Sequence, residues 1–565
     1  MDQLKGQVTL RGIIIGSVGC VVITATSAYI ALKMGMLPWP IIFAALISLF
    51  FLKALGKTNY HEVNVTHTIM SAGAMVAGGL AFTIPAIWMI GAGEVSLVEM
   101  LVVAFAGVIL GSICTALLRK HFIEKSQLEF PIGTAAAQTI VAGDKGGKTG
   151  LNLLGSLGFA GLYTALRDWF AAVPGLLFGS AAFPGVAFGF YNSPMLLAVG
   201  FIVGTASVVV LFIGALLGHL GIVFGLSSLG YWSVEAGQGF TSSLGMGVMM
   251  GCGIGVIAKL IFTNGLAAFK NKKTREASVS VESARTDGAT SKLKLNKVTA
   301  GIAAGAVAAV ALLVCFLLGL SPVPCLIVVA LVWATTAMAA QSVGQTGIDP
   351  MEIFGLIVLL IVAAFSATPQ VQLVFIAGII AVACGLTGDL MNDFKAGHIL
   401  GTNPRAQWIG QAIGGVIGAV VAVVVMSVLV NAYGTEAFGA GKDFVAAQAS
   451  VVASMISGIV NVPAFVSGII LGCVLYMFGL PVMMLGLGFY LPFYLSSTIF
   501  VGAMIKVIFD AIKRYLAKRK PEEERKRFTE AANETGLIAA SGLLAGESIA
   551  GVIIAFIFVA LGLWG

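Results

Sequence analysis

Long apolar runs recur from one end of this chain to the other, and they restrict its fold more than any other feature. Many exceed 18 residues, which is long enough for an α-helix to cross the hydrocarbon core of a bilayer. Hydrophobic residues make up 58% of the 565 residues and charged residues only 10%, too few charges to cover a soluble protein of this length. The runs are continuous rather than alternating, which argues against a β-barrel. The sequence therefore predicts an all-α polytopic membrane protein.

Two polar stretches rich in Lys and Arg, at 270–297 and 513–528, interrupt these runs. Such stretches are typical of the cytoplasmic side of a membrane protein. The first divides the chain into two nearly equal parts, as in duplicated transporters. We therefore predict an N-terminal transmembrane half (1–269), a basic cytoplasmic linker (270–297) and a C-terminal transmembrane half (298–565). Each half holds about eight spans, giving about 16 in total, with broken or re-entrant segments.

The apolar runs differ in how clearly they predict a span. Residues 127–142 are short enough to form a re-entrant segment, and 534–565 predict one span or two half-spans broken at Gly546-Glu547. The first run follows the N-terminus with no small-residue cleavage pattern, so we predict a first transmembrane helix with a cytoplasmic N-terminus. Further predicted spans are 194–218, 371–390, 405–432 and 484–511.

The stretch 388–407, GDLMNDFKAGHILGTNPRAQ, concentrates charge between two apolar runs. Asp389 and Asp393 are four residues apart and share a face if the helix continues, with Asn392 beside them and Lys395 following. One interpretation is an ordinary loop at the membrane surface. The other is a site that handles protons or substrate, because neighbouring carboxylates can share a proton and charge at membrane depth is costly.

Four other places carry polar side chains near predicted spans. Residues 57–68 place His61, Glu62, Asn64 and His67 at the cytoplasmic start of the third span, where a surface loop is the alternative. Arg167 and Asp168 are neighbours, as in a local ion pair. Glu547 has apolar sequence on both sides and no cation nearby in sequence, so we predict that it is buried and a second proton carrier. Gln138, in GTAAAQT, offers hydrogen bonds to a peptide backbone, with helix packing as the alternative.

Sequence signatures of enzymes and metal sites are missing. There is no Walker motif, no HExxH, no GxSxG and no Cys/His framework. The basic residues cluster in loops, so the net charge of +7 does not indicate a nucleic-acid partner. We predict no enzymatic activity, no metal site and no cofactor. A channel or a membrane-embedded enzyme is the alternative class, but dispersed polar residues and glycine breaks fit a moving transporter better.

Several blocks resemble the oligopeptide transporter (OPT) family, nearer its yellow-stripe-like branch. DLMNDFKAGHILGTNPRAQWIGQAIG, Asp389 to Gly414, is similar to the family pattern DLMxDFKxG…SPRxxxxxQxxG. EFPIGTAAAQTI, HEVNVTHTIMSAGAMVAGGLAFTIPAIW, LPFYLSSTIFVGAMIKVIFD and GLIAASGLLAGES resemble further blocks in family order. His67-Thr68 stands where many relatives have Gln-Thr. The compact length resembles prokaryotic members.

This resemblance implies a proton-coupled importer of short peptides or peptide-like solutes in the plasma or inner membrane. The alternative it leaves open is import of metal–chelator complexes. The expected partners are the solute and membrane lipid, with a homo-oligomer left open, and the expected driving ion is H⁺. The proton-coupling candidates are Asp389, Asp393 and Glu547, and the substrate-binding candidates are Lys395, Asn392, Gln138, Glu62 and Asn64.

Overall fold

The computed structural model describes most of the chain, with short gaps and one longer gap at 276–296. The described residues are 6–35, 37, 41–126, 128, 130–142, 149–180, 183–275, 297–346, 349–457, 461–518 and 520–561. Most of the predicted linker 270–297 therefore lies outside them.

Ten helices and one β-hairpin precede the longer gap. The helices are α1 (Leu10–Met34), α2 (Ile41–Ala54), α3 (Tyr60–Ala81), α4 (Pro85–Met89), α5 (Leu97–Arg119), α6 (Pro131–Ala142), α7 (Thr149–Thr164), α8 (Pro194–Val203), α9 (Thr205–Ala215) and α10 (Val234–Arg275). The antiparallel strands β1 (Leu176–Ser180) and β2 (Phe188–Tyr191) lie between α7 and α8. Three π-helical segments continue α5, α7 and α9: Lys120–Lys125, Ala165–Trp169 and Leu216–Leu226.

Ten more helices follow the gap. They are α11 (Lys297–Leu317), α12 (Pro322–Thr346), α13 (Met351–Phe365), α14 (Gln370–Leu400), α15 (Pro404–Tyr433), α16 (Ala447–Ser457), α17 (Val462–Met477), α18 (Val482–Tyr490), α19 (Phe493–Ala517) and α20 (Glu522–Leu561).

The predicted fold class, an all-α polytopic membrane protein, is confirmed. Eight helical stretches of the described chain are long and apolar enough to cross a membrane, and six shorter apolar helices accompany them. Two of the latter, α8 with 10 residues and α16 with 11, are too short to cross a bilayer. This agrees with the broken segments expected of transporters. The total of about 16 spans remains a prediction.

Several predicted spans have different ends or breaks. The span 194–218 is divided at Gly204, whose φ of 101° ends α8, and the span 484–511 is divided between α18 and α19, where Pro492 precedes the new helix. As far as Leu561 the tail is one unbroken helix, α20, so the alternative of two half-spans broken at Gly546-Glu547 is wrong. The span 371–390 is too short, because α14 continues to Leu400 and ends at Gly401 with φ 76°.

The helices pack into two groups, and each group combines helices from both sides of the predicted linker. The first helix set comprises α1–α3, α5, α6 and α11–α15, with the closest packing of α3 against α1, α14 and α15. The second helix set comprises α7–α10 and α17–α20, with the closest packing of α10 on α17 and of α20 on α7. Contacts of α20 with α1 and α15 join the two sets.

Candidate functional site: two buried clusters of charged side chains

Close packing of α3 with α15 and α14 builds the first cluster. Asn59 caps α3, since its side chain accepts a hydrogen bond from the backbone N–H of Glu62. Further along, Gly73 of α3 and Gly418 of α15 face each other, and a Cβ on Gly418 would lie only 2.3 Å from Cα of Gly73. Two glycines facing each other let the helix backbones touch. The polar side chains of α3, α14 and α15 are therefore brought together in a buried interior.

His67 and Asp393 form the central pair of this cluster. Nε2 of His67 lies 2.9 Å from Oδ1 of Asp393, and both side chains are completely buried. The two residues are 326 positions apart in sequence. A loop at the membrane surface, the alternative for both 57–68 and 388–407, is therefore wrong for these two residues.

Asp389 lies one helical turn before Asp393 on the same buried face of α14, as the spacing predicts if the helix continues. Ser71 donates its hydroxyl hydrogen bond to Oδ2 of Asp389 over 3.0 Å, and Nε2 of Gln411 lies 3.5 Å from the same oxygen. Two carboxylates thus occupy one apolar interior, each with one polar neighbour on α3.

The cluster is only partly satisfied by the protein itself. Among the described residues, Oδ1 of Asp389, Oδ2 of Asp393, Nδ1 of His67 and both side-chain polar atoms of Asn64 are buried without a hydrogen-bond partner. A buried polar atom without a protein partner costs free energy unless a water, an ion or a ligand satisfies it. The free carboxylate oxygens are positions at which a proton can bind.

Asp349, which precedes α13, was not among the residues predicted from the sequence. Both of its carboxylate oxygens are buried without a partner among the described residues, and Oδ2 packs against Gly388, the residue before Asp389. The signal was the short polar break GIDPMEIF, in which Asp349 and Glu352 lie between two apolar runs. Glu352 is also buried. A third buried acidic side chain, that of Asp349, therefore lies against α14 beside the two predicted aspartates.

Two further candidates hold neighbouring segments against α14. Asn392 accepts a hydrogen bond from the backbone N–H of Gly133 over 3.1 Å and donates one to the carbonyl of Gly388. Lys395 donates from Nζ to the carbonyl of Leu128 over 2.8 Å, not to either aspartate. Both contacts fix α6 and the segment before it. Their predicted substrate contacts remain predictions.

Glu62 belongs to a different contact, at the start of α1. Its carboxylate receives Nε and Nη2 of Arg11 at 2.7 and 2.6 Å, and the hydroxyls of Thr9 and Thr58 at 2.6 and 2.7 Å. This set of four donors pins α3 to α1 and leaves little of the carboxylate for a solute. The predicted substrate role of Glu62 is untested. The side chain of Gln138 lies outside the described residues, although α6 carries its backbone.

The second cluster surrounds Glu547, which is buried as predicted. Nη2 of Arg167 lies 3.0 Å from Oε1 of Glu547, and Arg167 also forms the expected ion pair with Asp168 at 2.6 Å. Ser193 and the backbone N–H of Met195 donate to the Glu547 carboxylate over 2.8 Å, so that Glu547 caps α8. Glu547 has no cation nearby in sequence, and Arg167 of the π-helical segment after α7 supplies the positive charge.

Two comparisons with known proteins agree. The sequence model of the family described as "OPT oligopeptide transporter protein" matches residues 7–558. The chain is also 25% identical over 602 aligned residues to a Haemophilus influenzae protein named "Putative oligopeptide transporter", and the alignment covers 94% of this chain and 92% of that protein.

Proposed function

Because the chain belongs to the OPT oligopeptide transporter family, and is thus a multi-pass membrane transporter, we propose that it imports short peptides or peptide-like solutes by proton-coupled secondary transport. The membrane is the plasma or inner membrane of the cell. The solute crosses by alternating access, in which the binding site opens first to one side and then to the other.

The observation that carries the proton coupling is the buried cluster of His67, Asp389 and Asp393. Two carboxylates and an imidazole share an apolar interior, and each has a polar atom without a partner among the described residues. The unpartnered oxygens, Oδ1 of Asp389 and Oδ2 of Asp393, are positions at which a transported proton can be held. Uptake and release of that proton change the hydrogen bonds that join α3 to α14.

Glu547 is a weaker proton carrier than the two aspartates. Its carboxylate already has Arg167, Ser193 and the N–H of Met195 as partners. Loss of its negative charge would leave the buried guanidinium of Arg167 with less compensation. We assign Glu547 chiefly to the joint between α20, α7 and α8.

Uptake into proteoliposomes tests the proposal. The purified protein is reconstituted, a pH gradient with the acidic side outside is imposed, and accumulation of a labelled tripeptide is followed. We expect the wild type to accumulate the peptide against its gradient. Asp389→Asn and Asp393→Asn abolish that accumulation but retain exchange of labelled for unlabelled peptide at equal pH, because exchange moves no net proton.

Asp510→Asn is the matched control, since Asp510 is a partly exposed carboxylate of α19 paired with Lys506 and Lys513. It should behave as the wild type in both assays. Full gradient-driven accumulation by both Asp389→Asn and Asp393→Asn would end the proton assignment. Uptake of labelled iron that requires an added chelator, without peptide uptake, would replace peptides by metal–chelator complexes.

A further inference from the structure

A cavity of about 440 Å³ lies between the two helix sets. Lys33 near the end of α1, Tyr433 at the end of α15 and the loop 434–446 form one wall, and Tyr191 of β2 and Tyr494 of α19 form the other. The volume falls within the range of roughly 300–1,000 Å³ that is typical of small-molecule sites. The cavity is distant from the cluster of His67 and Asp393, because it adjoins the opposite end of α1 from Arg11.

Lys33 is a half-buried cation in this wall. Its Nζ lies 5.4 Å from the ring centre of Tyr191 and 5.6 Å from that of Phe444. None of the ion pairs among the described residues includes Lys33. Arg167 also lies over the ring of Tyr191, at 5.1 Å, but its charge is compensated by Asp168 and Glu547. Of the two cations beside Tyr191, Lys33 is thus the one without an ion-pair partner among the described residues.

A rigid group of aromatic rings holds Lys33 in place. Phe444 is fully buried and packs edge-on against Tyr29 and Tyr433, with ring centres 5.8 and 5.1 Å apart. Tyr191 and Tyr494 lie 6.0 Å apart on the other wall. Aromatic faces favour a cation over them but do not neutralise its charge. The ammonium is therefore positioned in advance for an anionic group of a ligand.

The rim of the cavity carries two carboxylates and a second cation. Glu436 and Asp443 are exposed and line the cavity beside Lys442, and none of the three takes part in an ion pair among the described residues. The cavity thus presents a fixed cation deep in its wall and carboxylates at its rim. This separation of charge matches a small zwitterion whose two ends are free.

We propose that this cavity binds the free ends of a short peptide, with the α-carboxylate at Lys33 and the α-ammonium at Glu436 and Asp443. The inference rests on the proposed peptide transport and adds a site and a selection rule to it. Charge-assisted hydrogen bonds to both ends recognise any short peptide regardless of its side chains. The three tyrosines supply hydroxyls and apolar ring surface for the peptide between its ends.

Its position between the two helix sets gives the cavity a role in transport. The charged ends of the peptide bind the wall of the first helix set, and Tyr191 and Tyr494 of the other wall contact the peptide between its ends. A bound peptide therefore changes the relative stability of the arrangements of the two walls. Alternating access requires a ligand that interacts differently with the two states. The cavity is accordingly the first binding site of the solute on the side opposite the N-terminus.

Calorimetry on the full-length protein in lipid nanodiscs tests this site. The probes are trialanine, trialanine amide and N-acetyl-trialanine. We expect the wild type to bind trialanine about tenfold or more tightly than its amide, the effect of one charge-assisted hydrogen bond. Lys33→Gln lowers the affinity for trialanine to that for the amide and leaves binding of the amide unchanged, whereas Lys33→Arg restores the preference.

Lys506→Gln is the matched control, because Lys506 is also half-buried and lies 4.8 Å from the ring centre of Phe201, outside the cavity. It should keep the preference for the free carboxylate. If Lys33→Gln does not fold, Glu436→Gln combined with Asp443→Asn at the exposed rim gives the same test for the other end. That variant should lose the preference of the wild type for trialanine over N-acetyl-trialanine.

Equal binding of trialanine and its amide by the wild type would overturn the site, as would an unchanged preference in Lys33→Gln. If the wild type still accumulates trialanine in proteoliposomes in that case, peptide transport stands and only the cavity assignment falls. A wild type that neither binds nor transports trialanine would overturn both.

Discussion

His67 places an imidazole where an amide could make the same hydrogen bond to Asp393. Loss of that hydrogen bond would leave both carboxylate oxygens of Asp393 without a partner among the described residues, since Oδ2 already has none. His67 lies on α3 and Asp393 on α14, so the bond also joins two helices of the first helix set. Residue 67 must therefore supply a hydrogen-bond partner for Asp393.

We expect His67→Gln to remain folded and to keep most of its gradient-driven uptake, because the amide can donate a hydrogen bond to Asp393. His67→Leu should lose it, because Oδ1 of Asp393 is then buried without a partner, at a cost of about 1–3 kcal/mol. The measurement is the initial uptake rate of a labelled tripeptide at a matched pH gradient. His61→Leu is the control, because His61 is only partly buried and its ring contacts Thr402, which follows α14. Equal uptake by His67→Leu and the wild type would show that this hydrogen bond is not needed for transport.

The sequence predicted which charged residues are buried better than it predicted what they contact. Asp389, Asp393 and Glu547 stood out because charge in an apolar run is costly, and all three are buried. Their partners could not be inferred, because Ser71 and Arg167 lie hundreds of residues away in sequence. Asp349 was missed because a Gly-Ile-Asp-Pro break looks the same in sequence whether it meets water or packs against a helix.

Among the helices, the crossing of α3 and α15 is the contact on which the buried cluster most depends. Gly73 and Gly418 meet there, backbone to backbone, and Ser71 and Gln411 on the same two helices reach Asp389. Any side chain at the crossing separates the helices. A small displacement is enough to lengthen the hydrogen bonds of Asp389.

We expect Gly418→Ala to lower the melting temperature of the purified protein and to reduce uptake. Overpacking of this kind costs about 1–3 kcal/mol in a well-packed interior. Gly158→Ala is the matched control, because Gly158 lies in α7 with no atom within 4 Å of the added Cβ. Thermal unfolding of both variants in the same detergent measures the difference. An unchanged melting temperature for Gly418→Ala would show that the helices can move apart at no cost.

Helix type was predictable from the apolar runs, but helix ends were not. The charged residues after 388 suggested that α14 ends there, yet it continues for about three turns because α3 and α6 bury its polar face. Conversely, Gly204 and Pro492 divide runs whose hydropathy is continuous. Tertiary packing decides the first case and local backbone geometry the second.

The whole molecule has two ends that the contacts identify. Gln7 accepts a hydrogen bond from the backbone N–H of Asn403, so the N-terminus and the loop before α15 share one end. Lys33 and Tyr494 line the cavity at the other end. Because α19 begins at that cavity, its basic last turn lies at the opposite end of the molecule, the end that carries the N-terminus. The positive-inside rule predicts that this end is cytoplasmic.

Labelling of single cysteines tests this orientation. In a background that carries Cys315→Ser and Cys473→Ser, the two partly exposed cysteines, we expect Lys442→Cys to react with a membrane-impermeant maleimide in intact cells. Arg405→Cys should react only after the membrane is permeabilised, because it lies exposed at the opposite end. The reverse pattern would place the N-terminus and the predicted cytoplasmic loops outside.

The mixing of both halves in each helix set also affects how the chain is made. Ser193 and Glu547 are 354 residues apart, yet they meet in one buried cluster together with Arg167. During synthesis the arginine therefore enters the membrane long before its carboxylate partner has been translated. Until the last helix is inserted, the earlier helices are shielded by the insertion machinery or by one another. A chain that ends before α20 lacks Glu547, one of the two carboxylate partners of Arg167. The guanidinium is then left with Asp168 alone, which distinguishes a truncated product from the full-length protein.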